Sequence, residues 1–393
     1  MTDPLGQSQV LPYLCKLAAE GFQFTLLSFE KKERYEKSRS VIEAICKENN
    51  IRWAPAFFSK RPPVLSKIYD GWKMKRIANR LHKEQEFAFI HCRSYVAAAA
   101  GLQLFKKYKI PFLFDMRGFW VDERVDNGQW NLKNPFYKIA YRIYKKKERK
   151  YFDNAVHIIS LTEKGKEELV NAYQLPSEKI TVIPCCADLD HFDYHKINLN
   201  AQHELKNKLG IKEDGKILSY LGSLGGWYLT DEMLEFFKVL KQSIPAAKFL
   251  FITHDNRESI VSKAEAKGIE ATDILVEPAT RQQVPLFLSL SNWSIFFIKD
   301  AYSKKASSPT KQGEIMAMGI PIVCNDIGDT GRIVNESGAG IVTPSFEIQD
   351  LKMTVEKIIK YNGYVNERLR EAAFYYYNLT RGVQLYKVVY GKI

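Results

Sequence analysis

The chain has 393 residues, of which 46% are hydrophobic and 13% aromatic, so it can fill the cores of two ordinary domains and is neither disordered nor collagen-like. Its formal net charge of +13 favours anionic partners, but no nucleic-acid recognition motif accompanies the charge. The six cysteines form no Cys-x-x-Cys pair, which indicates a reducing compartment and argues against a disulfide framework or a structural zinc site.

The sequence also bears on membrane insertion. It opens without the basic and then apolar run of a signal peptide. The longest apolar stretch, near residues 96–105, is far shorter than the roughly 20 residues of a spanning helix. We therefore expect a cytoplasmic protein that is soluble or rests on the inner face of the cytoplasmic membrane.

Short apolar runs alternate with helical patterns along the first half, which is typical of parallel α/β domains. The predicted strands are residues 22–29, 88–92, 111–115, 156–161 and 180–183. The predicted helices are residues 8–20, 33–49, 66–83, 95–107, 135–151 and 163–171. These elements predict a first domain over residues 1–193.

The strand pattern pauses and then resumes. Residues 193–207 are polar, lack apolar periodicity and are interpreted as a linker. The further predicted strands are residues 217–221, 248–253, 274–277, 293–298, 320–324 and 340–342, within a second domain over residues 205–365. Residues 366–393 are predicted to be a helix that packs back across the first domain. The predicted fold class is α/β, with two Rossmann-like doubly wound domains facing each other across a cleft.

Two stretches of the first domain combine cations with aromatic residues. From Lys133 to Lys150 there are eight basic residues and one acidic residue, and a second stretch from Lys60 to Lys83 includes Trp72. Two interpretations remain open. The first is a solvated helix face with tyrosines packing inward, and the second is an interfacial helix resting on anionic lipid headgroups.

The segment most informative about chemistry reads Ser-Ser-Pro-Thr-Lys-Gln-Gly-Glu and ends at Glu314. Ser308 suits a helix N-cap and Pro309 the first helical position, where a missing N–H costs nothing. The free N–H groups of such a turn bind anions, and Lys311 adds a positive charge. Glu314 lies about one turn deeper, where a carboxylate accepts hydrogen bonds from ribose hydroxyls. The predicted ligand-binding residues of this segment are Ser307, Ser308, Thr310, Lys311 and Glu314.

This segment resembles the donor-binding motif of the family 4 glycosyltransferases of GT-B fold, in the branch that reads Ser-Pro-x-Lys-x-x-Glu. Many members carry two glutamates separated by seven residues, and here the earlier position is Ala306. The resemblance implies that Glu314 contacts the donor ribose, while recognition of the transferred sugar is less certain. It implies a retaining, metal-independent enzyme that moves a sugar from a nucleoside diphosphate donor to a glycan or lipid-linked acceptor. Cell-envelope or exopolysaccharide synthesis is the expected setting, with no cofactor beyond the donor.

The beginning of the chain matches a second motif of the family. Residues 2–9 resemble the glycine loop that follows the first strand and faces the donor phosphates and the acceptor. Gly6 would let the backbone approach the reacting sugar, and Gln7 is assigned to the acceptor side. No strand precedes this loop in the sequence, so we expect the sheet of the first domain to lack its first, central strand and to expose apolar edges.

Polar residues follow two predicted strands of the first domain. His91 and Arg93 end one strand, and Asp115 and Arg117 follow the next, at the carboxyl ends where ligands bind in α/β sheets. A lone histidine is usually structural, but its position beside Arg93 favours function. The resemblance implies acceptor-side roles for Arg93 and Asp115, and catalytic roles for His91, Arg117 and Lys311. It favours front-face attack without an enzymic nucleophile.

The second domain opens with a glycine-rich loop after its first predicted strand. Backbone N–H groups of such a loop bind a diphosphate, which makes Gly222 and Ser223 candidate donor contacts. Family members commonly have an arginine here and a lysine a few residues on, whereas this chain has Ser223 and the pair Trp227 and Tyr228. Lys311 would then carry more of the charge stabilisation.

Two other functions remain open. Ala306 and Ser223 replace charged residues of the family pattern, so the chain could be a non-catalytic nucleotide-sugar-binding protein. A sugar-nucleotide epimerase of GT-B fold is the other alternative, although the helix start follows the transferase branch. There is no Asp-x-Asp motif on a plausible loop and no His/Cys cluster, so no metal site is predicted.

Overall fold

The computed structural model describes residues 1–59, 62–360 and 366–393. These residues form two compact units, the first made of Met1–Cys186 with Leu379–Ile393 and the second of Ala187–Asn378. Lys60, where the second basic stretch is predicted to begin, lies outside the described residues, as do residues 361–365 of the predicted second domain.

The first unit alternates strands and helices along most of its length. Its strands are β1 (Thr25–Glu30), β2 (Arg52–Phe57), β3 (Ile90–Arg93), β4 (Phe112–Asp115), β5 (His157–Ser160) and β6 (Ile180–Val182). Its helices before the second unit begins are α1 (Pro4–Gln9), α2 (Leu11–Ala19), α3 (Lys32–Glu48), α4 (Pro63–Glu84), α5 (Ser94–Tyr108), α6 (Trp120–Asp126), α7 (Pro135–Asn154) and α8 (Glu163–Asn171). Each strand predicted for this half is present.

The strands of the first unit form two parallel sheets. β3, β4, β5 and β6 make a four-stranded sheet in that order, and β1 and β2 make a separate two-stranded sheet. Within the described residues, β1 and β3 therefore each pair with one strand. The middle of the larger sheet is fully buried at Phe112, Leu113 and Phe114, as expected for parallel strands covered by helices.

The sequence pattern does not predict β2. This strand contains Pro55, and proline donates no hydrogen bond to a sheet, so the pattern argues against a central strand. In the structure β2 pairs only with β1, and Pro55 lies opposite Ser28. An edge strand tolerates proline. Pro55 therefore argues against a strand in the sequence but does not prevent β2 from forming.

The second unit contains a larger parallel sheet. Its strands are β7 (Ile217–Leu221), β8 (Lys248–Ile252), β9 (Ile274–Glu277), β10 (Trp293–Phe296), β11 (Ile322–Cys324) and β12 (Gly340–Val342). Its helices are α9 (Leu199–Lys208), α10 (Thr230–Ser243), α11 (Arg257–Glu265), α12 (Val284–Leu288), α13 (Thr310–Ala317), α14 (Thr330–Ser337), α15 (Ile348–Lys360) and α16 (Asn366–Tyr377).

The strand order of this sheet identifies where a ligand should bind. The order is β12-β11-β10-β7-β8-β9, and all five pairings are parallel. The chain winds outward in opposite directions from β7 and β10, which is the switch point of a doubly wound sheet. Ligands of such sheets bind beyond the carboxyl ends of the strands at this point, where Gly222 follows β7 directly.

The C-terminal segment differs from the predicted single helix. Residues 366–393 form α16 and a further helix, α17 (Leu379–Tyr390), with Asn378 between them. α16 packs against α13 in the second unit, whereas α17 packs against α2 in the first. The predicted linker also differs, because residues 199–208 form α9 and the second unit already begins at Ala187.

None of the described helices is long and apolar enough to cross a membrane.

Candidate functional site

The donor-motif segment enters the second unit as a short 3-10 turn followed by α13. The turn covers Tyr302–Ala306, and the helix begins at Thr310 with Pro309 as its N-cap residue. The prediction that Ser308 caps the helix and Pro309 starts it is wrong by one residue. Pro309 has the extended backbone of a cap, with φ −73° and ψ 118°, and its own side chain makes no capping hydrogen bond. Thr310 and Lys311 nevertheless lie in the first turn, as the sequence predicts.

Lys311 projects from the first turn of α13 to the carboxyl end of β7. Its ammonium lies 3.2 Å from the hydroxyl oxygen of Tyr220, to which it donates a hydrogen bond. It also lies beside Gly222, where a side-chain carbon would meet the Lys311 Nζ at 3.1 Å. Burial lowers the pKa of Lys311 to about 7, against the opposing attraction of Glu314. The lysine is therefore a cation that titrates near neutral pH at the switch point of the sheet.

Glu314 lies one turn further along α13, with its side chain largely buried. Its Oε1 accepts a hydrogen bond from Arg281 Nη1 at 3.1 Å. Burial raises the pKa of Glu314, while Arg281 and Lys311 act in the opposite direction. Arg281, in the segment between β9 and α12, is a charged contact that the sequence analysis missed. Nothing local marks it, since its partner is 33 residues away in the chain.

The glycine-rich loop after β7 brings Gly222 and Ser223 to the same place. Gly222 has φ +109°, a conformation that favours glycine. The Tyr220 hydroxyl donates a hydrogen bond of 2.6 Å to the carbonyl oxygen of Ser223, and the Leu224 amide donates to Asp255. The loop is thus held from β7 and from the end of β8, with the Ser223 side chain exposed.

A second cluster lies in the first unit, around the carboxylate of Asp115 at the end of β4. Asp115 is fully buried, and its Oδ2 lies 3.2 Å from Arg93 Nη1 and 3.5 Å from His91 Nε2. Arg117 Nη1 lies 3.7 Å from Oδ1. The register places Arg93 opposite Asp115 on neighbouring strands, which explains why strand-end residues of β3 and β4 meet. The four residues predicted for this domain's strand ends are therefore together.

The electrostatics of this cluster favour an ionised carboxylate. Burial alone would raise the pKa of Asp115, but Arg117, His91 and Arg93 together hold it well below its usual range. Arg117 has φ +60°, a left-handed conformation that is strained for a side chain of this size. Its Nη2 also donates to Cys185 Sγ at 3.0 Å. Asp115 Oδ1 and His91 Nε2 are buried atoms without a hydrogen-bond partner among the described residues.

Helix α17 supplies tyrosines that the sequence analysis did not assign to this cluster. The Tyr386 hydroxyl donates to Asp115 Oδ2 at 3.1 Å, and the Tyr390 hydroxyl lies 2.7 Å from His91 Nδ1. The separation in sequence, 299 residues between His91 and Tyr390, left no signal for this contact. The His91 ring consequently lies between the Tyr390 hydroxyl on one side and the Asp115 carboxylate on the other.

The structure differs from the expected glycine loop at the start of the chain. Residues 4–9 form helix α1, because Asp3 accepts a hydrogen bond from the Gly6 amide at 2.9 Å and Pro4 occupies the first turn. Gly6 is buried, and a side-chain carbon there would meet Met1 Cα at 2.7 Å. The side of Gly6 that lacks a side chain therefore packs against the backbone of Met1. Gln7 is exposed and does not join the Asp115 cluster.

No group of three or more His, Cys, Asp or Glu side chains in the described residues is arranged to hold a metal ion.

Solved structures share the architecture of this chain. A glycosyltransferase from Rickettsia africae has a TM-score of 0.71 at 13% identity, over 97% of this chain and 93% of that one. The Anabaena HepE protein in complex with UDP and glucose has a TM-score of 0.66 at 12% identity, over 97% and 96%. With its two Rossmann-like units, the chain has the GT-B fold of these proteins.

Family models cover both halves of the chain. The model described as Glycosyltransferase Family 4 matches residues 6–191, and the model described as Glycosyl transferases group 1 matches residues 201–374. The chain therefore belongs to the Glycosyltransferase Family 4 proteins over residues 6–191 and to Glycosyl transferases group 1 over residues 201–374. A curated relative, the alpha-D-kanosaminyltransferase of Streptomyces kanamyceticus, is 22% identical over 240 residues. That match spans 61% of this chain and 60% of the relative.

Proposed function

We propose that this protein is a retaining glycosyltransferase that moves a sugar from a nucleoside diphosphate donor to a glycan or lipid-linked acceptor. The observation that carries the proposal is the convergence of Lys311, Glu314 and the glycine loop at the switch point of the second unit's sheet. The Anabaena protein of the same fold is described in complex with UDP and glucose, which supports a donor of this chemical class.

The donor contacts divide by chemistry. The Lys311 ammonium and the positive end of the α13 dipole suit the diphosphate, whose negative charge grows as it leaves. Ser307 and Ser308 precede the first turn of α13 and Thr310 begins it, and all three carry hydroxyl groups. Glu314 suits the ribose, because a carboxylate accepts from two vicinal hydroxyls. Arg281 holds one of its oxygens at 3.1 Å and thereby fixes its orientation.

The Asp115 cluster suits the acceptor side of the reaction. Arg93, Arg117 and the buried carboxylate give the first unit a polar site held by Tyr386 and Tyr390. In the proposed mechanism the acceptor hydroxyl attacks the anomeric carbon as the donor's bond to the diphosphate breaks. The leaving phosphate accepts the hydroxyl proton, so no protein nucleophile is needed.

Lys311 gives the sharpest test of this function. Purified protein is assayed against a panel of nucleotide sugars and acceptors, with product configuration read by NMR. Lys311→Met keeps the length of the side chain but removes its charge, and we expect kcat to fall roughly 100- to 1,000-fold, as for other lost charge-stabilising contacts. Lys357→Met, at an exposed position of α15, is the control and should retain full activity. Transfer that does not depend on Lys311, or an inverted product, would contradict the proposal.

A non-catalytic nucleotide-sugar-binding protein is the second candidate. It is favoured by Ala306, which is buried and apolar where many family members have a glutamate, and by the exposed Ser223. Binding of nucleoside diphosphates without turnover across a broad acceptor panel would support this candidate over the transferase.

We further propose that helix α7 docks the protein on the inner face of the cytoplasmic membrane during cell-envelope or exopolysaccharide synthesis. Tyr141 packs inward and donates to Asp122 at 2.7 Å, whereas Tyr144 is exposed. Phe136, Ile139 and Ile143 remain 67%, 57% and 48% exposed and follow one another at helical spacing. The exposed cations of this stretch are Lys133, Lys138, Arg142, Lys146, Lys147, Arg149 and Lys150. Apolar residues beside cations suit an anionic bilayer surface.

Co-sedimentation with vesicles of phosphatidylglycerol and phosphatidylcholine tests this docking. We expect binding that weakens with added salt, and at least a several-fold loss for the double variant Ile139→Ser/Ile143→Ser. The control, Ile348→Ser/Met353→Ser, removes two exposed apolar residues of α15 and should bind like the wild type. Binding that ignores salt and both substitutions would contradict the docking role of α7.

A further inference from the structure

Two tyrosine rings enclose the Lys311 ammonium. Its Nζ lies 4.2 Å from the centroid of the Tyr220 ring and 3.6 Å from that of the Tyr228 ring. The rings meet edge to face, with centroids 5.8 Å apart and planes at 73°. Tyr220 belongs to β7 and Tyr228 follows the glycine loop, so the two ends of that loop contribute one ring each.

A chain of hydrogen bonds joins the lysine to the loop between the rings. Lys311 donates to the Tyr220 oxygen at 3.2 Å, and the Tyr220 hydroxyl donates to the Ser223 carbonyl at 2.6 Å. Gly222 forms a third wall, because a side-chain carbon there would meet the Lys311 Nζ at 3.1 Å. The position of the ammonium is therefore fixed by β7, the loop and α13 together.

We propose that Tyr220 and Tyr228 are positioning residues that hold the Lys311 ammonium against the glycine loop, so that loop amides and cation act as one diphosphate site. The inference rests on the proposed donor-binding function and names the residues that set its geometry. The negative face of an aromatic ring attracts an ammonium without cancelling its charge. A lysine held in this way remains available to an anionic ligand. A lysine paired with a carboxylate is less available, because its charge is already engaged.

This clamp, formed by Tyr220 and Tyr228 around Lys311, accounts for an unusual feature of the sequence. The loop has Ser223, Trp227 and Tyr228 where relatives commonly have cations, and its aromatic rings face lysines from a different segment. Lys304 Nζ lies 3.9 Å from the Trp227 centroid, just as Lys311 lies over Tyr228. The loop thus contributes π faces, and the segment leading into α13 contributes the charge.

The charged and titratable groups around Lys311 determine how the site responds to pH. On and near α13 they are Glu314, with Arg281 and His191 close to its carboxylate. Around the loop they are Tyr220, Tyr228, Asp255, which accepts from the Leu224 amide, and Lys304, which lies over the Trp227 ring. Burial lowers the pKa of Lys311 to about 7. An anionic ligand favours the charged form, so its affinity should be greatest at or below neutral pH and fall as the free lysine loses its proton.

Titration calorimetry with UDP and with GDP, at pH 7, 8 and 9, tests the clamp above the range of the phosphate ionisation near about 6. For the wild type we expect the affinity of the tighter nucleotide to fall at least roughly tenfold across this range. Tyr228→Phe keeps the ring and should keep both the affinity and its pH profile. Tyr228→Leu keeps apolar volume without the π face, and should weaken binding at pH 7 by roughly tenfold. Its affinity should also begin to fall at a lower pH.

Tyr375→Leu, which removes an exposed ring of α16, is the control and should match the wild type in affinity and pH profile. Thermal melting of each variant separates lost folding from lost binding. If Tyr228→Leu binds with wild-type affinity and pH profile, the clamp is refuted while donor binding stands. If the wild type binds neither nucleotide at any pH, the proposed function and the clamp both fall.

Discussion

At the scale of single residues, the two candidate sites solve the problem of a buried charge in opposite ways. The Asp115 carboxylate is fully buried and faces Arg93, Arg117 and His91, so its negative charge is compensated. The Lys311 ammonium instead lies between two tyrosine rings, and Glu314 attracts it without forming an ion pair with it. A charge held in an ion-pair cluster suits a rigid scaffold, and a cation held mainly by aromatic rings suits a site that receives an anion.

His157 in β5 predicts an acid sensitivity of the first unit. It is buried, its Nε2 lies 2.8 Å from Thr181 Oγ1, and burial lowers its pKa to about 4. In the unfolded chain the His157 side chain binds a proton at about pH 6.5, whereas in the folded chain it does so only near its lower pKa. Stability that is present above that unfolded pKa is therefore lost as pH falls through this interval.

The measurement compares denaturant unfolding at pH 7 and pH 4.5. We expect the free energy of unfolding of the wild type to fall by about 1–3 kcal/mol more than that of His157→Gln, which cannot gain the proton. His203→Gln, at an exposed position of α9, is the matched control and should follow the wild type. Equal losses in the wild type and His157→Gln would contradict this account.

At the scale of elements, the position of α13 depends on its packing against α16. Gly313 lies between Lys311 and Glu314, and a side-chain carbon there would meet Tyr377 Cβ of α16 at 2.6 Å. Because that contact is shorter than carbon atoms tolerate, Gly313→Ala must push α13 and α16 apart. The helix that carries the proposed donor contacts Lys311 and Glu314 is thus positioned by the close approach of a glycine.

We expect Gly313→Ala to lower the free energy of unfolding by about 1–3 kcal/mol and to weaken nucleotide binding. Gly71→Ala provides the control, since Gly71 also lies in a helix but has nothing within 4 Å of the new carbon. That change should leave binding intact and stabilise the protein by up to about 1 kcal/mol. Denaturant melts and UDP titrations measure both effects, and a neutral Gly313→Ala would refute the packing argument.

At the scale of the whole molecule, the two units have separate hydrophobic cores and carry different candidate sites. The proposed donor contacts Gly222, Lys311 and Glu314 belong to the second unit, whereas the Asp115 cluster belongs to the first. A nucleoside diphosphate that lacks the transferred sugar should therefore stabilise chiefly the second unit, because ligands stabilise the structure that binds them.

Hydrogen exchange with and without saturating UDP or GDP checks this expectation. We expect slower exchange in residues 219–228 and 310–317, and little change in residues 90–93 and 112–117. Lys311→Met serves as the control, since it should lose the protection at the same nucleotide concentration. Protection confined to the strand ends of the first unit would place the nucleotide in the wrong unit for the proposed function.

The sequence by itself determined the parallel α/β class, because alternating apolar runs and helical patterns are local signals. It located Lys311 and Glu314 one turn apart, since capping preferences and helical spacing act over a few residues. It also placed His91, Arg93, Asp115 and Arg117 at strand ends. Local signals erred at β2, where Pro55 argued against a strand that forms, and at α13, which begins one residue later than the capping preferences predict.

Tertiary structure alone decided what surrounds these residues. Tyr220 and Tyr228 enclose Lys311, Arg281 fixes Glu314, and Tyr390 contacts His91 across 299 residues of sequence. Such contacts depend on how strands and helices assemble, and no short-range pattern encodes them. The local sequence therefore specified which chemical groups are present, whereas long-range packing set their charge state and orientation.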